Sequence, residues 1–80
     1  MTKVESGKCT KLMEEAIIKA KQSEEEYKEA DRYLNSGNHI AWEIERRKAD
    51  QHIGYAEGIN QVLATLGFKH DRMKELSELL

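Results

Sequence analysis

Apolar residues recur at intervals of three and four along most of this chain. The densest run lies in 49–66, with Ala49, Ile53, Ala56, Ile59, Val62, Leu63 and Leu66. At about 100° per residue these positions cover more than a narrow seam, so the pattern predicts a helix with a broad apolar face. Its expected span is 39–66. A second stripe precedes it: Leu12, Met13, Ala16, Ile17, Ala20, Tyr27, Ala30 and Leu34, interrupted at Ser23 and Glu24. Lys19, Lys21, Glu25, Lys28, Glu29 and Arg32 occupy the opposite side. This predicts a first helix over 11–35. The run Glu24-Glu25-Glu26 reads as solvated surface.

The segment 1–10 carries mixed signals. Thr2 with Glu5 fits a capping box, and Thr10 also suits an N-cap. Gly7 argues against a firm helix here. The expectation is a frayed start.

Asn35-Ser36-Gly37-Asn38 is the clearest break. Gly37 supplies the left-handed residue after a helix, and Asn38 can cap the next one. So short a link implies an antiparallel hairpin. The two stripes agree with it. A constant sum of residue numbers sets Leu34 against Ala41, Ala16 against Ile59, Leu12 against Leu63 and Cys9 against Leu66. The adjacent register sets Ala20 against Ala56 and Tyr27 against Ala49. The same alignment puts Ser23 opposite His52 and Ala30 opposite Glu45, so the middle is more polar. Gly67 ends the second helix, with Phe68 as the apolar residue that follows such a cap. A short third helix is expected over 71–80, with Asp71 as its cap and Met73, Leu76, Leu79 and Leu80 as its apolar residues.

The second helix has more apolar surface than one neighbour covers. Val62, Tyr55, Leu66, Ile59, Leu63, Ala56, Ile53 and Ala64 span about 200°, roughly twice what a single partner helix hides. Phe68, Met73, Leu76 and Leu80 folding back would take part of it. A second chain would take the rest. The expected architecture is therefore all-α: an antiparallel hairpin of two long helices plus a short C-terminal helix, forming a homodimeric helical bundle.

Composition narrows this further. Eighty residues allow a single domain, without proline and with 35 % charged residues, which favours long helices. A net charge of -2 creates no global basic field for nucleic acid. One cysteine, Cys9, excludes an internal disulfide. No apolar run has membrane-spanning length, and the polar start is unlike a signal peptide, so a soluble cytoplasmic protein is expected.

Candidate chemistry is sparse. Trp42, Arg46, Arg47 and Lys48, with Asn38 and His39, lie near the hairpin tip. Cations beside an indole suit an acidic protein surface or a phosphate. Three consecutive helical residues fan over about 200°, however, and Glu43 and Glu45 dilute them. Trp42 also suits packing on Tyr33 or Leu34. His52 falls opposite Ser23 and Glu24, where it reads as a hydrogen-bonded residue at the core edge. No Glu-x-x-His or His-x-x-x-His occurs, so no metal site is expected. Cys9 lacks a base and an oxyanion site and reads as buried against Leu66. Gly54 and Gly58 flank the apolar arc, and each costs about 1 kcal/mol relative to Ala, which fits close approach of another helix. There is no phosphate loop and no helix-turn-helix.

The segment Tyr55-Ala56-Glu57-Gly58-Ile59, followed by Val62-Leu63 and Leu66-Gly67-Phe68, resembles the endings of small helical-hairpin proteins of phages and mobile elements. The resemblance implies a small accessory protein that acts by binding, and it carries over no catalytic residue. The expected function is a non-enzymatic protein–protein interaction module, an adaptor, inhibitor or regulator, without cofactor. Its expected contact residues are Trp42, Arg46, Arg47, Tyr55, Gly58, Val62, Leu66, Phe68, Met73, Leu76 and Leu80. Nucleic-acid binding through the tip is the alternative.

Overall fold

The computed structural model describes all residues from Met1 to Leu80. It contains α1 (Lys3–Asn35), α2 (His39–Thr65) and α3 (Met73–Leu79), and no strand. Helices α1 and α2 pack side by side as an antiparallel hairpin, and α3 folds back onto α1. The molecule is a rod of 52 × 17 × 16 Å, its long axis set by the 33 residues of α1.

The first helix starts earlier than its composition suggests. Thr2 Oγ1 accepts the Glu5 N–H at 3.1 Å, and Glu5 Oε1 accepts the Thr2 N–H at 3.4 Å. This reciprocal cap nucleates α1 at Lys3, so 1–10 is not a frayed segment. Gly7 is carried inside the helix. Its entropic penalty is offset by the cap and by burial of Cys9 and Met13 within the next two turns.

Both inter-helix turns use the same device. At the end of α1, Gly37 adopts φ 80°, its N–H donates to Leu34 O, and the Asn38 N–H donates to Tyr33 O. At the end of α2, Gly67 adopts φ 71°, with Gly67 N–H to Ala64 O and Phe68 N–H to Leu63 O. These are Schellman closures, which need a residue tolerant of the left-handed region. Asn38 then caps α2 through Oδ1, which accepts the Ala41 N–H at 3.1 Å. The second turn continues differently from expectation. Asp71 caps nothing. Instead His70 Nδ1 accepts the Arg72 N–H at 3.1 Å, and its ring stacks on Phe68 with centroids 6.0 Å apart.

The core is small: only twelve of eighty residues are buried, so each carries a large share of the stability. Cys9, Met13, Ala16, Ile17 and Ala20 of α1 meet Ala56 and Leu63 of α2, and Phe68 and Leu76 close one end. Ala16, Ala20 and Ala56 are fully packed, and such small side chains let helix axes approach closely. Two expected core partners are absent from it. Leu66 is 57 % exposed, so Cys9 is buried without it, and Leu12 is also exposed. Leu66 is the cap residue of α2, where the chain turns into the Schellman closure and carries its side chain away from α1.

Candidate functional site

Helix α3 covers only one flank of the hairpin. Its Leu79 and Leu80 bound a cleft shared with Tyr27 of α1 and Ile53 of α2. Lys21 Nζ of α1 binds Glu75 Oε1 at 3.0 Å, and Arg72 Nε donates to Glu75 Oε2 at 3.0 Å. Both hydrogen bonds, Arg72 first, hold the Glu75 carboxyl below its usual 4.5. Tyr27 donates its hydroxyl to Asp50 Oδ1 across the hairpin. That bond, aided by desolvation, raises the Tyr27 pKa above 10.0.

The opposite flank is open. Tyr55 and Ile53 are two residues apart and so project about 200° apart. A groove of about 420 Å³ runs along the Tyr55 side, lined by Leu12 of α1 and by Gly54, Tyr55, Gly58, Ile59 and Val62 of α2. Tyr55 spans it, donating its hydroxyl to Glu15 Oε1 at 2.9 Å, and this bond raises the tyrosine's pKa above 10.0. Beyond the local backbone of α2, no atom lies within 4 Å of where a Cβ on Gly54 or Gly58 would stand. Neither glycine is required by the packing of the single chain, although each weakens the helix by about 1 kcal/mol relative to Ala.

The exposed apolar residues extend this flank along all of α2. Ile40, Ile44, Tyr55, Val62 and Leu66 are all exposed, and they fall within about 80° of arc. Ile40 and Ile44 were missed as members of this stripe. Their separations from Tyr55 and Val62, each a sum of steps of four and seven, carried the signal.

The remaining expected contact residues divide. Phe68 and Leu76 are buried in the core, so neither is a free contact surface in the single chain. Their apolar character serves to close the end of the hairpin. Met73 is half-buried and packs on that core, while Leu80 is exposed. At the tip, Trp42 is half-buried with the Arg46 guanidinium 5.6 Å from its ring centroid, a cation–π distance. Arg47 pairs with Glu43 at 2.8 Å and Lys48 with Glu45 at 2.9 Å. The cations therefore point at separate neighbours and form no common cradle.

His52 has a different partner from the one its register suggests. Its Nδ1 lies 2.5 Å from Glu26 Oε1, while Ser23 Oγ donates to Ala20 O in its own helix. Glu26 is half-buried by this contact, unlike exposed Glu24 and Glu25. No three His, Cys, Asp or Glu side chains are grouped to hold a metal ion, and no helix is long and apolar enough to cross a membrane. Comparison with protein-family models, characterised proteins and solved structures finds no match for this chain.

Proposed function

We propose that this chain is a non-enzymatic protein-interaction module whose open flank along α2 receives a helix of a protein partner. One observation carries the reading: five large apolar side chains lie exposed on one stripe of α2, beside a groove floored by two glycines. Ile40 and Ile44 form one exposed apolar cluster and Tyr55, Val62 and Leu66 another, with Lys48 and Gln51 between them. Exposed apolar clusters on one face mark a binding surface, because their contact with water is unfavourable. The stripe runs alongside the buried one, so α2 serves the fold with Ala49, Ala56 and Leu63 and offers Tyr55, Val62 and Leu66 outward. That division of faces supports an accessory role as an adaptor, inhibitor or regulator.

Nucleic-acid binding at the tip draws less support. Arg47 and Lys48 each face a glutamate of their own helix, and Arg46 lies over Trp42. A photo-crosslinking amino acid placed at Val62 or at Arg46 in cells that express the chain separates the readings. The proposal expects discrete protein adducts from position 62 that disappear when Leu66 is also changed to Glu. Nucleic-acid adducts from position 46, with none from 62, would overturn it.

A further inference from the structure

We propose that the helix received by this flank is α2 of a second copy, packed antiparallel about a two-fold axis near residue 53. This deepens the reading just given and rests on it. Four of the five stripe residues, Ile40, Ile44, Val62 and Leu66, are placed symmetrically about that point. Pairing residues whose numbers add to 106 sets Ile40 against the partner's Leu66 and Ile44 against the partner's Val62, and each contact occurs twice. At the centre, Gln51 meets the partner's Tyr55. Lys48 meets the partner's Gly58, where the missing Cβ leaves room for a lysine stem. A two-fold contact is isologous and requires a face complementary to itself. A foreign helix would have no need of apolar pairs placed symmetrically at both ends.

The exposed area is of the right order. The chain exposes 5650 Å² for a mass of 9.3 kDa. A compact monomer of that mass exposes about 5,000 Å². The excess of roughly 650 Å² reflects the elongated shape of the rod and is of the same order as the ~800 Å² that each partner contributes to a stable interface. Side-by-side pairing of two rods removes area of this kind, because it relieves their elongation. Helix α3, on the other flank, stays outside the contact.

Sedimentation equilibrium over a concentration series, with cysteine pairs to read orientation, tests this. The unaltered chain is expected to approach twice the chain mass. V62E is expected to raise the dissociation constant at least about 100-fold, because two charges are then buried per dimer. Circular dichroism of V62E should be unchanged, as Val62 is 54 % exposed in the single chain. A chain carrying I44C and V62C together should oxidise to a linked dimer, whereas I44C alone should not. A constant one-chain mass would overturn the second copy as occupant and leave the crosslinking test of the flank intact. A dimer indifferent to V62E would place the interface elsewhere. Linkage through I44C alone would overturn the antiparallel order.

Discussion

Tyr55 of α2 donates a hydrogen bond to Glu15 of α1 at 2.9 Å, on the flank that α3 does not cover. The bond clamps the two long helices beside the open groove, one turn along α2 from the His52–Glu26 contact that also joins them. It also sets a pH response. Tyr55 and Tyr27 both have folded pKa values above 10.0, raised chiefly by their bonds to Glu15 and Asp50. A group raised in the folded state contributes stability that is complete below its unfolded pKa and is lost as pH rises through the folded one. Stability should therefore be level below about pH 10 and fall above it. Urea midpoints of the doubly substituted Y27F/Y55F chain should show a weaker alkaline fall than those of the unaltered chain.

Glu75 gives the opposite sign. Its folded pKa lies below 4.5, so its contribution is complete above that value and lost as pH falls through the folded pKa. Because Glu75 ties α3 to Lys21 of α1, acidification should loosen α3 first. Amide exchange of α3 should speed up in acid relative to the mid-hairpin amides, after correction for intrinsic rates. The substitution K21M should shift that transition to higher pH.

The two faces of α2 should respond differently to truncation. Leu63 is fully buried, and L63A should destabilise the chain by about 2–5 kcal/mol through the lost transfer energy and the cavity left behind. Val62 and Leu66 are exposed, and V62A or L66A should stay within about 0.5 kcal/mol in dilute solution. Denaturant titration at low micromolar concentration reads both.

Glycines divide by backbone and surroundings. Gly37 and Gly67 have positive φ, so G37A and G67A should each destabilise by about 1 kcal/mol. Gly54 and Gly58 lie in ordinary helix with open space around the missing Cβ. G54A and G58A should each stabilise the dilute chain by about 0.5–1 kcal/mol. Thermal midpoints of the four variants give the comparison.

The hairpin was legible because its signals are local. Asn35-Ser36-Gly37-Asn38 and Leu66-Gly67-Phe68 carry their turn chemistry within four residues, and both closures form as read. The start of α1 is less legible, because Gly7 argues against a helix while the two bonds of the Thr2–Glu5 cap outweigh that one weak position. Face assignment was less legible. An arc of about 200° on α2 does not say which part meets α1, and Leu66 was placed inward where it lies outward. The partner of His52 was missed because Glu26 lies three residues beyond Ser23, within reach of a long side chain but outside a strict facing pair. The fold-back of α3 was legible in Phe68 and Leu76, which are buried in the core, whereas its Lys21–Glu75 contact joins residues far apart in sequence and leaves no periodic trace.

On the proposal above, the outward stripe of α2 binds a helix that a second copy supplies. The most direct test is the thermal midpoint of the chain and of V62E across a hundredfold range of concentration. Association that favours the folded state makes the midpoint rise with concentration. Such a rise is expected for the unaltered chain and a flat line for V62E, with the two meeting at the dilute end. A flat line for both chains, or an equal rise for both, would contradict it.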